Sequence, residues 1–183
     1  MLYALALGSN RWHGRYGAPK AVIDAAIADL SAQGLTIKAQ ATIFETQAVG
    51  PAGRRFANTA IIVQTTLLPL SLLALCKKTE QLFGRRAGRR WGARVLDIDI
   101  LLWEKGRWPQ KKQPLLRYRP GLTSNKPPAL WPTLHIPHLE ISRRDFVLKP
   151  LTEIAGNWRV FEKNRFFTVK QLYFRYKCLT PKQ

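Results

Sequence analysis

Asp97 and Asp99 interrupt an otherwise apolar run, and Arg85, Arg86, Arg89, Arg90 and Arg94 precede them with no acid in between. The whole stretch, 84–103, reads GRRAGRRWGARVLDIDILLW. In a β-strand, residues two apart share a face. Leu96, Ile98 and Ile100 would therefore face a core, and both aspartates the other side. Two neighbouring carboxylates repel each other and resist desolvation, so they need a counter-charge. That counter-charge is either a hard cation such as Mg²⁺ or the nearby arginines. Carboxylates holding Mg²⁺ beside arginines holding phosphate oxygens make a nucleotide-phosphate site. A surface ion-pair cluster uses the same residue types. The apolar setting speaks against it, because aspartate is a poor strand former and is rarely buried unless paired. On local chemistry alone the two alternatives stay evenly open.

The elements that must position these residues follow from the pattern along the chain. Leu2 to Leu7 is a short apolar run ending at Gly8-Ser9-Asn10, which reads as a buried first strand and a turn. Pro19 opens a helix whose Val22, Ile23, Ala26, Ile27 and Leu30 fall on one face, with Gly34 suited to its end. Thr36 to Glu45 alternates, with Ile37, Ala39, Ala41 and Ile43 on one side, and reads as a strand. A Gly/Pro-containing loop over 46–55 leads to a strand over 56–65. Pro69 to Phe83 is a second helix closed by Gly84, with Leu72, Leu75, Cys76, Leu82 and Phe83 as its buried face. The aspartate-bearing strand follows. Strand, helix, strand, strand, helix, strand is the order of a ferredoxin-like α+β fold, an antiparallel sheet with two helices on one face around one core.

Beyond Glu104 the pattern changes. Six of the twelve prolines and seven Lys or Arg lie between Glu104 and Leu134. A long irregular segment of this kind reads as a functional loop or insertion, with Leu115 to Arg119 as a brief strand at most. Val147 to Ala155 fits a short helix entering at Pro150. The basic, aromatic stretch from Trp158 to Gln183 fits a last strand, a helix or a docked extension.

The chain has 183 residues, of which 46% are hydrophobic, enough for one domain with a core. Its formal net charge is +19, which calls for an acidic partner such as a nucleotide or nucleic acid. From Lys105 onward, 17 Lys or Arg face 4 Asp or Glu, so the excess is concentrated in the second half. Cys76 and Cys178 make neither a disulfide framework nor a metal-binding spacing. No stretch is long enough to span a membrane, and the N-terminal apolar run lacks the basic flank of a signal peptide. A cytoplasmic protein without membrane attachment is the expectation.

Four blocks, in order, carry a resemblance: ALALGSN, FETQAVGPAGRRFANTAI, RWGARVLDIDILLW and LHIPHLEISRRDFVLKPLTEIA. Together they resemble the 6-hydroxymethyl-7,8-dihydropterin pyrophosphokinases of folate biosynthesis, and they cover roughly Leu2 to Ala155. The first block is weak alone; the last two, in register, are highly specific. The resemblance implies transfer of pyrophosphate from ATP to the pterin hydroxymethyl group, with release of AMP. It implies two Mg²⁺ ions at Asp97 and Asp99, and ATP as co-substrate. Carried over by position, Arg85 and Arg86 belong to a catalytic loop, and Arg94 also contacts ATP. His138 and Arg144 bind nucleotide phosphates, and Glu80 takes an ATP-side position. Trp91 and Phe146 hold the flat pterin ring between them. Asn58 offers a carboxamide to the pterin edge. Thr46, Val49 and Gly50 line the pocket, and Phe56 falls where the family often carries an aromatic.

This sequence departs from the family at two prolines, replaced here by Gln47 and Ala93. Ala93 loosens the turn presenting Arg94, and Arg89 or Arg90 could take the place of Arg86. Residues 1–157 are expected to form the pyrophosphokinase domain, including the basic insertion 105–133. Residues 158–183 are expected to form a basic extension, and the protein to be a monomer. The competing reading is a basic ferredoxin-like module that binds nucleic acid without catalysis. The aspartate pair opposes it, since two carboxylates on a binding face repel a phosphate backbone. A weak, salt-sensitive affinity for nucleic acid remains compatible with the charge.

Overall fold

The computed structural model describes residues 1–47, 55–84, 95–109, 134–162 and 164–180. Its first strand, β1 (Leu2–Ser9), is the centre of the molecule. Along β1 large and small residues alternate: Tyr3, Leu5 and Leu7 point to one face, Ala4, Ala6 and Gly8 to the other. β1 pairs antiparallel with β4 (Arg55–Gln64) on one side and with β5 (Asp97–Trp103) on the other. β2 (Thr36–Gln40) and β3 (Phe44–Gln47) both pair antiparallel with β4. The sheet order is β2-β4-β1-β5, so β5 is an edge strand among the described residues.

Each face of the sheet carries its own core. Tyr3, Leu5, Leu7, Ile61, Val63, Ile98 and Ile100 meet α1 (Pro19–Ala32) and α2 (Pro69–Leu82) on one face. Ala4, Ala60, Ile62 and Leu101 meet α3 (Asp145–Ala155) on the other, joined by Val160, Val169 and Leu172 from the C-terminal segment. That segment folds as a hairpin, β6 (Arg159–Glu162) and β7 (Arg165–Thr168), followed by α4 (Val169–Leu179). Thr168 starts α4 with a reciprocal capping box to Gln171. The described residues thus form an α+β fold of antiparallel sheet and four α-helices.

Several sequence expectations are corrected. The single core becomes two, because α3 and α4 cover the face opposite α1 and α2. Gly8 and Ser9 are part of β1 and not a turn, since both continue the ladder with β4. The strand expected over Thr36 to Glu45 is broken in two. At the break, the Thr59 hydroxyl donates to the Ala41 carbonyl (2.8 Å), and the Thr42 N–H donates to the Glu153 carboxylate (2.9 Å). Leu82 is exposed, and Thr79 and Glu80 are buried instead, because the buried stripe of α2 runs Leu72, Cys76, Thr79, Glu80. Helix α3 starts at Asp145 and carries Pro150 inside it. The strand suggested for Leu115 to Arg119 lies outside the described residues.

Candidate active site

An edge strand leaves part of its backbone without a ladder partner, and buried N–H and C=O groups must find partners elsewhere. On β5 those partners come from two other parts of the chain. The Ile98 N–H donates to Glu80 Oε1 of α2 at 2.8 Å. Further along, the Leu101 carbonyl accepts from the His138 N–H at 2.9 Å. The chain returns to this edge through a two-bond bridge, Trp108 N–H to Ile136 O (2.8 Å) and Ile136 N–H to Trp108 O (3.0 Å). Among the described residues, this edge of β5 has no ladder partner, and its bond to the His138 N–H brings His138 near the aspartates across the long segment that separates them in sequence.

Asp97 and Asp99 are half-buried on the face opposite Ile98 and Ile100, as the alternation of the strand requires. Arg144, at the N-cap of α3, places Nη1 3.9 Å from Asp99 Oδ2. Both side chains are about one-third exposed, so this pair contributes little to stability. The Arg144 guanidinium also lies 5.8 Å from the centre of the Phe146 ring, which is 41% exposed. Burial pushes the His138 imidazole below its ordinary pKa; Asp99 opposes this and Arg144 reinforces it. His138 Nδ1 accepts from the Glu140 N–H at 3.2 Å. The neutral ring then carries its proton on Nε2, a donor suited to an anionic oxygen.

Register extends the site across the sheet. Asn58 of β4, Gly8 of β1 and Asp97 of β5 are directly opposite one another, and Phe44 of β3 pairs with Asn58. One step along, Ala60, Ala6 and Asp99 form a second row. Glycine and alanine keep the floor between Asn58 and the aspartates low. The Asn58 side chain is buried, as is that of Ser9, whose hydroxyl makes no hydrogen bond among the described residues.

The structure thus brings Asp97, Asp99, His138 and Arg144 together along β5, sets Phe146 beside Arg144, and places Asn58 in the same row as Asp97. Thr46 pairs with Phe56 in the β3–β4 ladder, and Phe56 is half-buried. Glu80 is fully buried and reaches the site through the Ile98 N–H. Val49, Gly50, Arg85, Arg86, Trp91 and Arg94 lie outside the described residues. Sequence reasoning missed Lys77, whose Nζ donates to Glu80 at 2.7 Å. The available signal was a Lys and a Glu three apart on α2, a spacing that brings side chains together.

Two carboxylates on one face, beside an arginine and a histidine, form a donor set that fits Mg²⁺ shared with phosphate oxygens. No group of three or more His, Cys, Asp or Glu able to cage a metal occurs among the described residues.

Residues 4–156 match the family model described as 7,8-dihydro-6-hydroxymethylpterin-pyrophosphokinase. The chain belongs to this pyrophosphokinase family. A 2-amino-4-hydroxy-6-hydroxymethyldihydropteridine pyrophosphokinase of Methylorubrum extorquens is 32% identical over 153 residues, covering 82% of this chain and 80% of the relative. The protein of the same name from Bacillus subtilis is 31% identical over 153 residues, covering 82% and 76%. A mitochondrial folate synthesis bifunctional protein of Arabidopsis thaliana is 33% identical over 125 residues, which are 68% of this chain and 19% of that protein. The pyrophosphokinase match ends just before β6, so β6, β7 and α4 lie beyond the family model.

Proposed function

We infer that the protein transfers the β,γ-diphosphoryl group of ATP to 6-hydroxymethyl-7,8-dihydropterin in folate synthesis. The pterin hydroxymethyl oxygen attacks the β-phosphorus and loses its proton. The bond from that phosphorus to the α,β-bridging oxygen breaks, and AMP leaves. The observation that carries this reading is the meeting of Asp97, Asp99, His138 and Arg144 at the edge of β5 in a chain of this family.

Asp97 and Asp99 would hold Mg²⁺, with two ions expected. When bound, Mg²⁺ neutralises triphosphate charge and polarises the phosphoryl oxygens. The chain's own residues do the rest by position and charge. His138 donates from Nε2 to a phosphate oxygen, and Arg144 exchanges Asp99 for the same kind of oxygen. Arg85, Arg86 and Arg94 add cations from the sequence that precedes β5. Glu80 supports the ATP side from α2. On the pterin side, Asn58 pairs with the ring edge, and Phe146 and Trp91 stack on its faces. Thr46, Val49, Gly50 and Phe56 line the rim.

The sheet order supports a ferredoxin-like description: with β2 and β3 counted as one broken strand, the chain runs βαββαβ. We place the catalytic unit in residues 1–157, with 158–183 as an extension that adds to its second core. No described helix is long and apolar enough to cross a membrane. A cytoplasmic monomer fits this reading.

The test is AMP formation from ATP and Mg²⁺ with and without 6-hydroxymethyl-7,8-dihydropterin. Pterin-dependent AMP with a pyrophosphorylated pterin product is the expected result. AMP formation indifferent to pterin, or none at all, overturns it.

A further inference from the structure

The peptide between the two aspartates is held by a pair of side chains on α2. Ile98 presents its N–H and carbonyl to the open edge of β5, where an antiparallel neighbour would otherwise bond them. Glu80 Oε1 accepts from the Ile98 N–H (2.8 Å) and from Lys77 Nζ (2.7 Å). Lys77 Nζ also lies 3.5 Å from the Ile98 carbonyl. Lysine, glutamate and peptide thus form a closed ring at the middle of the Asp97-Ile98-Asp99 tripeptide.

This is unlike an ordinary helix-surface ion pair, which contributes little to stability. The Glu80 side chain is 0% exposed and that of Lys77 25%. A buried carboxylate requires a cation and hydrogen bonds, and here Lys77 and Ile98 are among its partners. Helix α2 is itself fixed from the other side. The buried Thr79 hydroxyl donates to Asp29 Oδ2 of α1 (3.0 Å) and accepts from Gln33 Nε2 (2.9 Å). The clamp therefore stands on a helix that cannot easily rotate.

We propose that Lys77 is a positioning residue, which acts through Glu80 and the Ile98 peptide to hold Asp97 and Asp99 at a fixed spacing and aim. The aspartates are attached to that peptide on either side, so looseness there is transmitted directly to both carboxylates. The consequence for catalysis rests on the pyrophosphokinase reading above; the clamp itself does not.

The experiment has two arms, applied to Lys77→Met, Lys77→Arg and the double variant Lys77→Met/Glu80→Gln. The first is amide hydrogen exchange in the ligand-free protein. Lys77→Met should speed exchange at Ile98 by about tenfold or more relative to the central-strand amide of Ile62, because exchange reports local opening. The double variant, which keeps a neutral acceptor for the Ile98 N–H, should regain protection. The second arm is steady-state kinetics. Lys77→Met should lower kcat about tenfold to a hundredfold through misplacement of the metal-side groups, with the pterin KM changed less than about twofold. Lys77→Arg, which keeps the cation and the donors, should restore kcat to within about threefold.

Unchanged Ile98 exchange in Lys77→Met overturns the clamp. Equal loss for ATP and pterin, accompanied by a lowered melting temperature, reduces Lys77 to a stability role and also overturns the proposal. Wild-type protein without pterin-dependent AMP would refute the functional reading alone, since the exchange arm is read without substrates. If Lys77→Met does not fold, Lys77→Gln takes its place: it keeps an N–H donor on a shorter side chain and loses the charge. Faster Ile98 exchange in that variant than in Lys77→Arg supports the proposal, and equal exchange overturns it.

Discussion

Asn58 and Asp97 stand on either side of Gly8, in one row across three strands and on one face of the sheet. Two strand spacings separate their backbones by roughly 10 Å. The carboxamide proposed for the pterin edge and the carboxylate proposed for the metal are thus held apart by a residue with no side chain. A Cβ built on Gly8 would lie 3.1 Å from Asn58 Oδ1. Gly8→Val should displace the carboxamide and raise the pterin KM about tenfold, the loss of one good polar contact. The KM for ATP should stay within about twofold of wild type. Steady-state kinetics with each substrate varied in turn checks this; a rise confined to ATP would contradict the arrangement.

Asp97→Ala or Asp99→Ala should abolish measurable turnover, a fall of roughly a thousandfold or more, because charge stabilisation at the phosphates would be lost. Neither should unfold the protein, since both side chains are partly exposed and Ile98 and Ile100 still anchor β5. Circular dichroism and thermal melting would report the fold, and AMP release the activity. Wild-type turnover in either variant would end the metal assignment.

His138 gives the ligand-free protein a pH dependence whose sign follows from its environment. Burial lowers its pKa in the native state, so between that value and about 6.5 the unfolded chain binds more protons. Stability therefore falls as pH drops below about 6.5 and levels off once the native imidazole also protonates. His138→Gln should flatten this part of the stability curve. Urea denaturation at a series of pH values between 4 and 8, without Mg²⁺ or nucleotide, is the measurement; an identical slope in both proteins would show that other groups control it.

The C-terminal segment should matter for the stability of the face that carries the candidate site. Leu172 of α4 is buried in the same cluster as Val147, Leu148 and Leu151 of α3, whose N-cap is Arg144. Leu172→Ala should cost about 2–4 kcal/mol, the usual range for emptying a buried leucine site. The denaturant midpoint should fall with little change in slope. A midpoint equal to wild type would mean that the segment docks without supporting α3.

Along β5 and α1, local periodicity alone determined which residues face which way. The alternation through Leu96, Asp97, Ile98, Asp99 and Ile100 placed both aspartates opposite the core, because neighbouring strand side chains point to opposite faces whatever they pack against. The five buried residues of α1 are likewise those its helical spacing names. The matching motifs identified the family. What periodicity does not encode is which backbone groups find distant partners. The split between β2 and β3 depends on Thr59 and Glu153, 18 and 111 residues away from their partners. The start of α3 at Asp145 was hidden by Pro150, which resembles a helix start but lies inside the helix. The second core was hidden because the C-terminal pattern fitted several structures until α4 had α3 to pack against. The convergence of Glu80, Lys77 and His138 on β5 was hidden for the deepest reason. It follows from β5 being the edge of the sheet, and a strand's place in the sheet order is decided by the whole chain at once. Only there do bare peptide groups next to two aspartates need partners, and the tertiary structure chooses them.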